Sequence, residues 1–253
     1  MMLNDLKVAL AFLTRIPINH GPQISLRRSA ALFPFVGAFI GLVGGLVFYL
    51  SSAILPPLVS ASISILVTVA ITGAFHLDGL ADICDGLIGG WNREERLKIL
   101  KDSRHGTYGV AAISLQLILQ VCLLSALPPR DGLFALIVLH TLSRVVPIFL
   151  MLVPATSGHD GMGASVSREI GMKEPLLGSL ITVLLIVPLM GMNFILMSVI
   201  LFLALSLFAL WVIRKIGGML GDAFGAGEQI SETMILLFFV AQFGIVGEIP
   251  WII

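Results

Sequence analysis

Three aspartates in the stretch FHLDGLADICDGLIGGW, Asp78, Asp82 and Asp85, stand at i, i+4 and i+7, so a helix through them carries all three on one face. Carboxylates so placed repel one another unless a cation lies among them. A Mg²⁺ ion held by carboxylates together with phosphate oxygens is the common arrangement. The plain alternative is a solvated acidic turn at a membrane exit, which the apolar neighbours Leu77, Leu80, Ile83 and Leu87 make a poorer fit. His76 lies two positions before Asp78 and points elsewhere on a helix. It is the weaker metal ligand and is placed among the substrate- and phosphate-binding candidates. Gly79, Gly86, Gly89 and Gly90 leave room for phosphate to approach the backbone.

Two further clusters carry chemistry. In LKILKDSRHGTYG, Asp102 can add a carboxylate to a metal site, while Lys101 and Arg104 can hold anionic oxygens, Arg104 as a bidentate fork. Taken alone, the same residues suit a basic collar at the membrane surface. Ser103 and His105 do not face each other on a helix, which argues against a Ser/His hydrolase. In GGMLGDAFGAGEQISE, glycines surround Asp222, a candidate metal or substrate ligand, but the GK[ST] ending of a P-loop is missing and no strand precedes it. A flexible polar linker is the competing reading, and Glu232 is expected to be a capping charge near the start of the last span. Arg144 falls inside an apolar run, with His140 one turn earlier. An ion pair with Asp102 or Asp222, or a bound substrate, would keep it out of lipid. The stretch GHDGMGASVSRE (158–169) reads as a glycine-rich flap or a plain loop. Cys84 and Cys122 have no metal-ligand spacing and read as small hydrophobes.

The elements that must position these residues are membrane helices. Of 253 residues, 57% are hydrophobic and 12% charged, about half the charge of a soluble domain. This excludes a cytosolic globule, a disordered chain and a basic nucleic-acid binder. A bilayer needs about 20 apolar residues per helix, and seven windows qualify: 30–55, 57–76, 107–127, 132–153, 176–192, 193–213 and 233–252. The break at Gly191-Met192-Asn193 is the weakest, so the fifth and sixth windows read either as two spans or as one kinked run. Gly37 and Gly41 make a small-xxx-small step for close helix packing. Pro56-Pro57 and Pro128-Pro129 mark tight hairpins. The N-terminal segment has apolar residues at Leu3, Leu6, Leu10 and Leu13, too few to span, and is expected to be an interfacial helix rather than a cleaved signal. The expected fold is therefore all-α: a single polytopic transmembrane domain over 1–253, with its main active-site loop at 76–106. Thirteen of the fifteen basic residues fall on one side of alternating spans, which predicts a cytosolic N-terminus and a cytosolic site. Eleven of the thirty charges lie between His76 and Arg104.

Aspartates suited to Mg²⁺ beside Arg and Lys suited to phosphate are what phosphoryl transfer requires. FLTRIP (12–17), FHLDGLADICDG (75–86), KDSRHGTYG (101–109) and GGMLGDAFGAGEQISE (217–232) together resemble the signatures of the cobalamin synthase (adenosylcobinamide-GDP ribazoletransferase) family, in order and over essentially the whole chain. The resemblance implies the last step of nucleotide-loop assembly in vitamin B12. In that step α-ribazole or its 5′-phosphate attacks the activated phosphate of adenosylcobinamide-GDP, GMP leaves, and adenosylcobalamin or its phosphate forms. It also implies Mg²⁺ dependence and the bacterial inner membrane, and leaves open homo-oligomers or association with other enzymes of the pathway. Carried over to this sequence, Asp78, Asp82 and Asp85 bind Mg²⁺ on the diphosphate, with Asp82 essential to turnover. Asp102 is a further ligand or the base, Arg104 and Lys101 neutralise phosphate, Asp222 is a ligand, and Arg15 contacts substrate or is simply interfacial. The aspartate run is distantly similar to that of the CDP-alcohol phosphotransferases, but Asp82 follows Ala81 where their pattern has Arg. The likeness therefore supports only the reaction class. A lipid head-group phosphotransferase and a small-solute transporter are the competing functions. Against the transporter, the ionisable residues gather at one face rather than at the midplane.

Overall fold

Apolar runs punctuated by proline and glycine fold as helices throughout. A computed structural model of the chain describes residues 2–19, 21, 25–102, 104–156 and 169–246. In chain order the helices are α1 (Met2–Leu13), α2 (Leu26–Ala30), α3 (Phe33–Ser51), α4 (Pro57–Thr72), α5 (Phe75–Gly89), α6 (Arg93–Ile99), α7 (Thr107–Ser125), α8 (Pro129–Ser143), α9 (Val146–Leu150), α10 (Lys173–Met190), α11 (Asn193–Ile216) and α12 (Gly221–Val246). Among the described residues, six stretches are long and apolar enough to cross a bilayer: α3, α7, α8 running on into α9, α10, α11 and α12 as far as Gln242. The pair α4–α5 passes the same test jointly but is bent by 89° at its break, which brings the number to as many as seven. The protein is an all-α, multi-pass membrane protein.

Lipid is as apolar as leucine, so close packing rather than burial from water must hold such helices together. The expected glycine step supplies it: a Cβ on Gly37 or Gly41 would overlap the carbonyl oxygens of His140 and Leu136, so α3 lies directly on α8. Gly191, at φ +54°, closes α10 and separates it from α11, which settles the fifth and sixth windows as two helices. Helix α1 turns Ala9 and Leu13 inward onto Phe33 and Val36 of α3 and also buries Val8, while Leu3 stays exposed.

Two expectations need correction. The last helix begins at Gly221, not near 233. Gly221, Gly225 and Gly227 read as linker residues, but within the helix Gly225 and Gly227 remove side chains where α12 meets its neighbours, and that tertiary contact overrides low propensity. The stretch 76–106 is not mainly loop either: α5 and α6 occupy most of it, joined by a short turn at Gly90-Trp91-Asn92. The 158–168 part of the expected flap lies outside the described residues.

The corner between α4 and α5 is unusual. Gly73 (φ +65°) and Ala74 (φ +59°) are both left-handed, a conformation that costs a non-glycine residue about 1–2 kcal/mol. The N-terminal segment braces it. The Arg15 amide donates to the Ile71 carbonyl at 2.7 Å, and the Arg15 side chain fills the space a Cβ on Gly73 would need.

Candidate active site

The bend at Gly73-Ala74 sets the direction of α5, and with it the aspartates. Leu77, Leu80, Ala81, Ile83 and Leu87 are buried, leaving Asp78 and Asp82 on the open face. Their side chains are 64% and 22% exposed. Helix α12 crosses α5 with its first turn against Gly79. A Cβ there would stand 2.8 Å from the Asp222 carbonyl oxygen, and one on Gly225 would stand 3.3 Å from the His76 backbone. This glycine-mediated crossing puts the Asp222 carboxylate in the field of Asp82 and Asp78. A fourth side chain, His105, enters from the turn before α7. Its Nε2 lies 3.4 Å from Asp78 Oδ1 and its Nδ1 3.6 Å from Asp82 Oδ1. The open face thus gathers three carboxylates and an imidazole from three segments far apart in sequence.

Asp85, the third acid of the run, is spent differently. Its two oxygens accept the backbone N–H groups of Gly106 (2.7 Å) and Gly109 (2.9 Å), so it holds the start of α7 against α5. At i+7 Asp85 lies only about 20° around the helix from Asp78, so it is the start of α7 packed over that turn, and not a different face, that buries it. Asp85→Asn keeps an acceptor for only one of the two amides and loses the charge. It is expected to lower stability by about 0.5–2 kcal/mol, the usual worth of a helix cap, seen as a fall in thermal midpoint in detergent.

The 101–104 segment is peripheral. The Arg104 guanidinium donates to both oxygens of Asp102, at 3.0 and 2.7 Å, and its backbone N–H also donates at 3.1 Å. These bonds hold the Asp102 carboxyl down to about 2. A carboxylate so acidic accepts a proton poorly at neutral pH while the pair stays closed. Lys101 and Arg104 are exposed at the rim, and Arg15 lies at the α4–α5 corner rather than among the aspartates. Ser103 lies outside the described residues.

Sequence reasoning missed two features. The arginines of α6 cap α11: Arg93 Nε donates to the Ile216 carbonyl (2.9 Å) and Arg96 to the Lys215 carbonyl (3.3 Å). Their signal was the acidic-then-basic pattern of a short capped helix, which Asn92 begins by accepting the Glu95 amide. The larger omission is a buried ionic network behind the open face. Arg144 pairs with Glu228 and with Glu232 (2.9 Å to the latter), not with Asp102 or Asp222 as expected. Glu232 is buried well inside α12, so it is not a capping charge. His140 Nδ1 lies 3.0 Å from Glu232, and His76 Nδ1 3.5 Å from Glu228. His76 is therefore buried in this network and not on the open aspartate face. Gln120 and Gln229 donate to Glu232 at 3.0 and 3.1 Å, and Ser143 donates to Glu228 at 3.2 Å. The i+4 spacing of Glu228 and Glu232, matching that of His140 and Arg144, was the available signal.

Chemically, the open face suits a hard cation shared with a substrate. Among the described residues no three His, Cys, Asp or Glu side chains form a ready-made ion cage. Mg²⁺, however, is usually bound by one or two carboxylates with substrate phosphate and water completing the octahedron. An accessible face whose candidate ligands are carboxylates fits that mode and not a closed structural site.

Residues 5–240 match the cobalamin-5-phosphate synthase family. The chain is similar to an adenosylcobinamide-GDP ribazoletransferase of Azorhizobium caulinodans, 38% identical over 93% of this chain and 95% of that protein. It is 36% identical to a protein of the same name from Shewanella frigidimarina, over 94% and 95% of the two chains. A third, from Clostridium kluyveri, is 34% identical over 93% and 96%. No solved structure matches.

Proposed function

The chain belongs to the cobalamin-5-phosphate synthase family, and from that premise we propose that it is the transferase that joins α-ribazole, or its 5′-phosphate, to adenosylcobinamide-GDP. A hydroxyl oxygen of the ribazole forms a bond to the phosphorus next to cobinamide, the bond from that phosphorus to GMP breaks, and GMP leaves. The products are GMP and adenosylcobalamin or its phosphate. The observation that carries the reading is the gathering of Asp78 and Asp82 beside His105 on one accessible face, with the Asp222 carboxylate in the field of both.

On this reading Asp78, Asp82 and Asp222 hold Mg²⁺ against the diphosphate. The ion supplies neutralisation of the phosphate oxygens and a fixed in-line geometry for exchange of the two bonded oxygens. Lys101 and Arg104, at the rim, receive the departing GMP phosphate once Arg104 turns from Asp102. His105 is placed to accept the proton of the ribazole hydroxyl, a better acceptor than Asp102 held by its arginine. Asp85 keeps the α7 turn that presents His105 in register. The one-sided distribution of basic residues supports a cytosolic N-terminus and site in a bacterial inner membrane.

The test uses protein purified in detergent, supplied with adenosylcobinamide-GDP, Mg²⁺ and either α-ribazole or its phosphate, with GMP followed by chromatography. GMP is expected in equal amount to the cobalamin product, and comparing the two acceptors identifies the preferred one. Chelation with EDTA is expected to slow release by at least about 100-fold, several kcal/mol of lost charge stabilisation, with recovery on excess Mg²⁺. Neither a transporter nor a lipid head-group transferase would release GMP under these conditions.

A further inference from the structure

The buried network contains polar atoms that the protein itself does not satisfy. Among the described residues, His140 Nε2 and Arg144 Nε are fully buried without a hydrogen-bond partner, and His76 Nδ1 reaches only as far as Glu228, at 3.5 Å. A buried polar group left so costs about 1–3 kcal/mol, which a folded protein seldom tolerates at three neighbouring positions. All three residues line one small cavity of about 20 Å³, together with Gln120, Gln229 and Glu232. Its apolar side is formed by Val69 of α4 and Leu77 of α5. A cavity of roughly 10–15 Å³ by this measure is enough for one water molecule, provided 2–4 polar partners surround it. Both conditions are met. The adjoining Arg144 guanidinium disfavours a cation in the same space, and no anion larger than hydroxide would fit.

We propose that this cavity is the binding site of one internal water molecule, which links His76 to Arg144, His140 and Glu232. The site has a structural consequence. His76 is on α5, nearly two turns ahead of Asp82; His140 is in the last turn of α8 and Arg144 caps it; Glu228 and Glu232 belong to α12. The water joins all three helices at the point where α5 departs from the strained Gly73-Ala74 corner, and it fixes the rotation of α5 that presents Asp78 and Asp82 outward.

X-ray radiolytic labelling with mass spectrometry reads such a site directly, because hydroxyl radicals formed from an ordered internal water oxidise the side chains beside it. In the intact protein, His76 and His140 are expected to be oxidised despite their burial. Val69→Leu adds about one methylene to a one-water space and is expected to remove that labelling. It is also expected to speed backbone hydrogen exchange at residues 76–86 by at least tenfold, while far-UV circular dichroism stays unchanged. Should V69L misfold, V69M fills the same space with a side chain that adapts to irregular gaps. Unlabelled histidines in the parent protein, or labelling that persists in the filled variant, would overturn the water site. Lost labelling with unaltered exchange in α5 would overturn its positioning role. Neither readout depends on the transfer reaction.

Discussion

Asp82→Asn is expected to insert and fold like the parent protein, yet to release GMP at least about 10³-fold more slowly, a loss of about 4 kcal/mol of transition-state stabilisation. The argument rests on where the side chain sits. Asp82 is the more sheltered of the two open-face acids on α5, near His105 on one side and in the field of Asp222 on the other. Three carboxylates gathered at such a place repel one another, so removing one charge relieves strain. The variant should therefore unfold at the same or a slightly higher temperature. Activity falling while stability holds or rises marks an acid kept for chemistry. Asp85→Asn should show the reverse order of effects, because its carboxylate satisfies two backbone amides. Turnover by Asp82→Asn near the parental rate would sink the assignment of the open face as the metal and phosphate site.

The contrast between Asp82 and Asp85 shows how far the sequence could be read. Period and composition were enough for the membrane helices, because a bilayer imposes one length and one polarity on every span. The same helical period put the three aspartates on one face, but a face is more than 100° wide. It did not say which acid turns toward the backbone of α7. That depends on where α7 begins, which is a tertiary fact. Asp222 was recognisable as a candidate from its glycine surroundings. Its approach to Asp82 was not, because Gly79 and Gly225 act only when paired across two helices. His105 was set aside on helical geometry, whereas it stands in a turn between helices, where neighbouring residues do diverge but can reach a third partner. Arg144 demanded an acid from the outset. The glycine-rich look of residues 217–227 hid the fact that Glu228 and Glu232 already lie inside a helix.

That network carries the largest expected effect on stability. Arg144→Met keeps most of the side chain's length and apolar stem but removes the charge between Glu228 and Glu232. The Arg144 side chain is 1% exposed and that of Glu228 0%, so water cannot replace the lost partner. Breaking a buried pair in this way costs about 3–5 kcal/mol, mostly from the stranded carboxylate. Adding Glu228→Gln to Arg144→Met should then recover part of the loss, because the amide can still accept from Ser143 and needs no counter-charge. Glu232 keeps His140, Gln120 and Gln229 around it in the double variant. The expected coupling between positions 144 and 228 is about 0.5–3 kcal/mol, the range for residues in direct contact. Denaturant titration of the four proteins in mixed micelles measures it. Because α5 joins this network through His76, the Arg144→Met protein should also lose turnover, and the double variant should regain some of it in proportion to its stability. Additive losses would mean that Glu228 does not depend on Arg144, and the ionic lock between α8 and α12 would have to be abandoned.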